Sequence, residues 1–220
     1  MSNYVLKYSR DSRVKYISHL DFVRMFHRAV RRSGLNMVFS QGFNPHPVMT
    51  VACPLSVGIT ADGELMKIGF EDGYSEEEIL SRINDSFPPG FSLSKTKRVE
   101  GKEIDFKKIE RARYLIEAEV GTDADMDFEK FMSNPEIVVI KKTKSGEKET
   151  DIKGMIHSVR LMSYEGDTAV FEAILDCGNI SNLKPDTLIS AMNKYIDGCD
   201  CKFYNLHRAA LLDKNNTEIF

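Results

Sequence analysis

What most constrains the fold is a double cycle of strand and helix patterning, interrupted once by the charged, weakly periodic stretch at residues 100–112 (EGKEIDFKKIERA). In the first cycle, residues 4–8 alternate as a short strand, and residues 18–32 place Phe22, Val23, Phe26, Ala29 and Val30 at helical spacing. Ser18-His19-Leu20-Asp21 fits a capping box, with the hydroxyl taking one orphan amide and the carboxylate reaching back for another. Gly34 suits the positive φ just past a last turn. Extended segments are expected near residues 37–40, 48–53 and 64–70. A helix capped by Ser75 is expected to residue 84, and a strand over 91–97 behind Pro88-Pro89-Gly90. The second cycle predicts strands at 113–120, 136–142, 151–162, 168–175 and 199–206, and a turn at Lys144-Ser145-Gly146. Its helices are expected at 126–132 and 183–195, the latter with Pro185 in its first turn.

Each cycle therefore reads β-α-β-β-α-β, and 220 residues suffice for two cores. The expected fold is α+β: two tandem ferredoxin-like modules, antiparallel sheets with helices on one face, spanning residues 1–104 and 105–220.

With 42% apolar and 29% charged residues, disorder and collagen-like classes are excluded. No apolar run approaches the roughly 20 residues that span a bilayer, and the N-terminal stretch lacks a signal-peptide core. A soluble, cytoplasmic protein with no membrane partner is the expectation. Four scattered cysteines, Cys53, Cys177, Cys199 and Cys201, point to reduced thiols. Their single C-x-C, read at alternating strand positions, does not match paired metal-ligand spacing, so neither metal nor other cofactor is expected. The sequence has no G-x-x-x-x-G-K-[ST], G-x-G-x-x-G, H-E-x-x-H or G-x-S-x-G motif.

The net charge of −3 hides an asymmetry. Residues 1–60 hold Lys7, Arg10, Arg13, Lys15, Arg24, Arg28, Arg31 and Arg32 against Asp11 and Asp21, a net of +6, leaving −9 for the rest. Arg24, Arg28, Arg31 and Arg32 recur at helical spacing opposite the apolar side, and guanidinium forks suit phosphate or carboxylate oxygens. The alternative is a solvated basic face, partly consumed by Asp21. After this helix, Ser40-Gln41-Gly42-Phe43-Asn44-Pro45-His46-Pro47 reads as an ordered but irregular loop. Amides near Gly42 and Phe43, the side chains of Gln41, Asn44 and His46, and the Phe43 ring are candidates for holding phosphate and stacking a base. Alternatively Asn44-Pro45 and His46-Pro47 only turn the chain and Phe43 plugs the core. His19 and His46 are candidate acid–base groups, whereas His19 and His27, two turns apart, cannot share a metal. In the second cycle, Lys141, Lys142, Lys144 and Lys148 form a charged hairpin tip, with Lys153, Met155, His157 and Val159 expected on one strand face as a secondary basic patch.

The segments Tyr16-Ile17-Ser18-His19-Leu20-Asp21, Arg28-Ala29 with Arg31-Arg32-Ser33-Gly34-Leu35, the Ser40–Pro47 loop, and Pro54-Leu55 with Val57-Gly58 resemble the radical-SAM-linked protein family of bacteria. That resemblance implies an accessory domain of unknown function working beside a radical-SAM enzyme. More distantly, the N-terminal part is similar to the ferredoxin-like RNA-binding proteins that process CRISPR transcripts. Some of these cleave RNA without metal through a histidine near the first helix, the position of His19 here.

Three functions fit these readings. The first is a non-catalytic accessory protein of a radical-SAM enzyme that binds structured RNA through the basic helix face and adjacent loop. The second is a protein-interaction subunit docking the radical-SAM partner without RNA. The third is a metal-independent endoribonuclease using His19 or His46.

Overall fold

Tyr4, Leu6 and Tyr8 alternate inward along strand β1 (Ser2–Arg10), as period-2 patterning predicts, and all three are buried. In this computed structural model, which describes residues 1–71, 73–101, 104–143 and 146–220, the chain divides into two units. One comprises Met1–Ile109 with Thr217–Phe220, the other Glu110–Asn216. The fold is mixed α+β, with antiparallel sheets and, among the described residues, four α-helices.

In the first unit β1 is followed by α1 (His19–Arg32), β2 (Met49–Val51), β3 (Ile59–Phe70), α2 (Glu76–Ser86) and β4 (Phe91–Val99). The strands pair antiparallel in the order β4–β1–β3–β2, with Leu6 opposite Met66 and Thr96. Tyr4, Leu6, Met66, Ile68, Phe70, Phe91 and Leu93 thereby join Phe22, Phe26 and Val30 of α1 and Ile79 and Ile83 of α2 in one core. The Tyr8 and Phe22 rings stack at 5.0 Å. Each such buried side chain contributes about 1.5–3 kcal/mol relative to exposure. Arg10 is buried too. Its guanidinium lies over the Phe22 and Phe91 rings and donates to the carbonyls of Val14 (3.2 Å) and Ile17 (2.9 Å), which fixes the loop that feeds α1.

The second unit runs β5 (Arg111–Glu119), α3 (Phe128–Ser133), β6 (Val138–Thr143), β7 (Gly146–Asp151), β8 (Ile156–Glu165), β9 (Thr168–Asp176), α4 (Pro185–Tyr195) and β10 (Tyr204–Leu212). Four strands pair as β10–β5–β9–β8, and β6 with β7 forms a separate two-stranded ladder. Phe128 and Phe171, 5.2 Å apart, pack in its interior.

The structure corrects several expectations. β7 (GEKETD) was not foreseen, because it lacks apolar alternation. The turn expected before it involves Lys144 and Ser145, which lie outside the described residues. Lys153–Met155 is a 3-10 turn rather than strand, so Lys153 and Met155 do not share a strand face with His157 and Val159. Asp151 imposes that turn by accepting the amides of Lys153 (3.0 Å) and Ile137 (2.9 Å). The last strand starts at Tyr204, which leaves Cys199 and Cys201 in the preceding loop. There the Asn193 side chain accepts the Cys201 amide at 2.8 Å. In the stretch read as a linker, Ile109 is buried and β5 begins at Arg111, because Ala112 pairs into the sheet. Lys102 and Glu103 lie outside the described residues. Among the described residues no helix is long and apolar enough to cross a membrane.

Candidate nucleic-acid interface

Helix α1 starts where Ser18, in extended backbone, accepts the Asp21 amide at 3.2 Å. The Asp21 carboxylate takes the Ser18 hydroxyl (2.8 Å) instead of reaching for a backbone amide, a variation on the expected box. Phe22, Phe26, Ala29 and Val30 face the core. That leaves Arg24, Arg28, Arg31 and Arg32 exposed on the other side. Arg31 and Arg32 sit in the last turn, where the helix dipole favours cations.

These four cations do not converge on one place. Spaced four apart, Arg24, Arg28 and Arg32 line a groove of about 380 Å³ with Asp21, Met25 and Pro88. Arg24 pairs with Asp21 at 3.3 Å, and Arg32 donates to the Ser86 carbonyl at 2.6 Å. Arg31 instead lines a larger cleft of about 670 Å³, with His27, Gly34, Leu35, Asn36, Met37, Phe39, Pro47 and Glu71. Among the described residues the Arg28 and Arg31 side chains make no hydrogen bond or ion pair. Elsewhere in the basic N-terminal region, Arg10 is buried, Arg13 pairs with Asp11 and Lys7 with Glu218.

The loop after α1 is closed at its neck. Phe39 bridges to Pro47, the Ser40 amide donates to the His46 carbonyl at 2.8 Å, and the His46 amide donates to the Ser40 hydroxyl at 3.1 Å. His46 Nδ1 lies 3.0 Å from the same hydroxyl, which ties that ring to the neck. Gly42 takes a φ of +125°, a conformation L side chains rarely adopt. Gln41, Gly42, Phe43 and Asn44 are exposed. Phe43 is 112% exposed, so it sits at the tip of the loop and does not plug the core. The larger cleft forms where the chain between helix and loop runs beside the end of β3. Val38 donates to the Gly69 carbonyl (2.9 Å), Glu71 to the Asn36 carbonyl (2.9 Å), and Asn36 to the Tyr74 hydroxyl (3.2 Å).

His19 occupies the first residue of α1 and is partly exposed, whereas His46 is held by Ser40. Burial pushes the His27 pKa down, and its Nε2 is buried without a hydrogen-bond partner. In the second unit His157 meets Asp176 at 2.5 Å. Among the described residues the four cysteines form no disulfide, and burial, with Cys199 adding to it, pushes the Cys201 thiol up to about 11. That disfavours thiolate chemistry. Of the lysines expected at the hairpin tip, Lys148 is exposed and Lys141 lies 3.8 Å from the Met155 sulfur. Lys144 and the Lys142 side chain lie outside the described residues. Sequence reasoning missed Asn36, Phe39 and Glu71. Glu71 directly follows a strand and stands 40 residues from Arg31, so only the antiparallel pairing around Gly69 brings it beside α1.

The bacterial family described as "Uncharacterized protein conserved in bacteria (DUF2344)" matches residues 3–185. No curated protein matches the sequence. Among solved structures, a Cbf5–Nop10–Gar1 complex contains a chain similar to this one at a TM-score of 0.51 and 8% identity. An H/ACA RNP bound to a substrate RNA containing 2′-deoxyuridine contains another, at 0.50 and 8%. The alignments cover 93% and 94% of this chain but 47% of each of those chains, so this chain spans about half their length. At such identity the likeness is one of fold.

Proposed function

This chain belongs to the DUF2344 family, and on that footing we propose that its first unit binds RNA through the α1 cations and the Ser40–Pro47 loop. One observation carries the reading: the unpaired guanidinium groups of Arg28 and Arg31 stand one turn apart on a helix whose exit leads into a pinned loop with a fully exposed aromatic tip. Cations that neutralise phosphates, beside an aromatic that stacks bases, are the two parts single-stranded nucleic-acid binding requires. One of the fold neighbours is an assembly bound to a substrate RNA, which makes RNA the first polyanion to test. We read both units as ferredoxin-like modules, since each orders its strands with the helix-linked pair split by a third. The role as accessory to a radical-SAM enzyme rests on the resemblance of the Ser18–Asp21 and Gly42–Pro47 motifs. In the radical-SAM-docking reading, the exposed Tyr16 and Leu20 at the start of α1 are the contact.

Fluorescence anisotropy with labelled single-stranded and hairpin RNA tests the proposal. Binding weakens between 50 and 200 mM salt and is lost when Arg28 and Arg31 are both replaced by Glu, in a chain with unchanged circular dichroism. Affinity indifferent to both manipulations removes the RNA reading. Co-purification of a radical-SAM enzyme after nuclease treatment then favours the docking reading.

A further inference from the structure

The larger cleft holds a group that phosphate binding does not call for. Glu71 is exposed on its lining together with Arg31, and a carboxylate there repels a phosphate backbone. Neither Glu71 nor Arg31 satisfies the other: among the described residues neither side chain makes a hydrogen bond or ion pair. Besides these two charges the cleft is lined by His27, Gly34 and Asn36 and by four apolar groups. Leu35 and Met37 are buried, while Phe39, 44% exposed, and Pro47 offer flat surfaces. At about 670 Å³ the volume falls in the range of small-molecule pockets.

An ionised carboxylate only accepts hydrogen bonds and a guanidinium only donates them. Placed around an apolar shelf, they are complementary to a planar ring with adjacent N–H donors on one edge and acceptors on another. Among nucleobases guanine has that pattern, with N1–H and the N2 amino group on the Watson–Crick edge and O6 with N7 on the major-groove edge. Adenine presents the N1 lone pair where guanine presents N1–H, which repels a carboxylate.

We propose that this cleft is a guanine-binding pocket of the RNA-binding face. Glu71 accepts from N1–H and the N2 amino group, Arg31 donates to O6 and N7, and the ring lies against Phe39 and Pro47. Arg28, three residues before Arg31 on α1 and so roughly 4.5 Å along the helix axis, remains for the attached phosphate. The inference deepens the RNA reading and rests on it, with the pocket supplying base preference where the helix supplies affinity.

The test is a titration of the isotope-labelled full chain with GMP and with AMP at fixed salt, followed by NMR at the amides of Gly34, Asn36, Phe39 and Glu71. GMP shifts these amides with an affinity about tenfold above that of AMP, the discrimination of one good bidentate base contact. Glu71→Gln brings GMP down to the AMP level without altering the fold, because a carboxamide pairs with either base. Phe39→Ala weakens both nucleotides. Equal affinity for GMP and AMP, a preference that survives Glu71→Gln, or shifts confined to other residues overturns the pocket. Salt-dependent RNA binding with no GMP preference removes the pocket and leaves the RNA reading. GMP preference without RNA binding keeps the pocket and removes that reading.

Discussion

His27 is a partly buried base whose native environment resists protonation. Desolvation holds its pKa below the ordinary value of 6.5, and Arg31 and Glu71 are the charged groups lining the same cleft. Because the unfolded chain takes up the proton first, His27 stabilises the protein above its unfolded pKa, and that contribution is lost as pH falls from about 6.5 toward the folded value. Urea unfolding is therefore expected to give a lower free energy at pH 5.5 than at pH 7, and His27→Gln to shrink the difference. An undiminished pH dependence in that variant assigns the effect to other groups. A backbone argument applies at Gly198, whose φ is +74° and where an added Cβ meets the Asp123 carbonyl oxygen at 2.5 Å. Because the obstacle is main chain, Gly198→Ala is expected to cost at least ~2 kcal/mol by denaturant titration. In the sequence His27 stood out only by its spacing from His19, and Gly198 not at all. Histidine burial and close backbone approach arise from packing between segments distant in the chain.

At the scale of elements, α1 was legible in advance, since its apolar spacing, its Ser18 cap and the Gly34 stop are each local signals along one continuous stretch. Ser18→Ala is expected to lower stability by about 1 kcal/mol, and Phe22→Ala, at the stacked centre of the core, by roughly 3–5 kcal/mol; thermal or urea denaturation reads both. The loop after α1 was legible as irregular but not as pinned. Its clamp joins Ser40 to His46 through one main-chain bond and two contacts of the Ser40 hydroxyl, with the His46 amide and with its ring, geometry that sequence spacing does not specify. Ser40→Ala is expected to lower RNA affinity several-fold while leaving the melting temperature nearly unchanged, because the loop packs against no core. The strand β7 was illegible for the opposite reason. Its residues are mostly charged and exposed, and only pairing with β6 makes them a strand.

For the whole molecule, the sequence pI of about 6.0 describes a protein that migrates as an anion at neutral pH, yet the exposed, unpaired guanidinium groups of Arg28 and Arg31 lie together on the first helix. Polyanion binding should thus be a local effect. With Arg28 and Arg32 each neutralising one phosphate and Arg31 engaged by a base, log affinity for single-stranded RNA is expected to fall against log salt with a slope of about −1.4. A slope near zero contradicts the assignment of this helix, and a much steeper one requires cations beyond it. The division into units carries a related lesson. The first unit runs to Ile109, inside the charged stretch at 100–112, and Thr217–Phe220 belong with it, where Lys7 bonds Glu218 at 3.3 Å. By itself the amino-acid order determined the helices, the amphipathic core strands and which helix side carries the arginines, because capping, periodicity and turn chemistry act between near neighbours. Only the tertiary structure decided that Arg31 parts from Arg24, Arg28 and Arg32 and that Glu71 stands in its cleft. That partition depends on strand register and on the path of residues 35–39 along β3, which join residues far apart in the chain and leave no local trace.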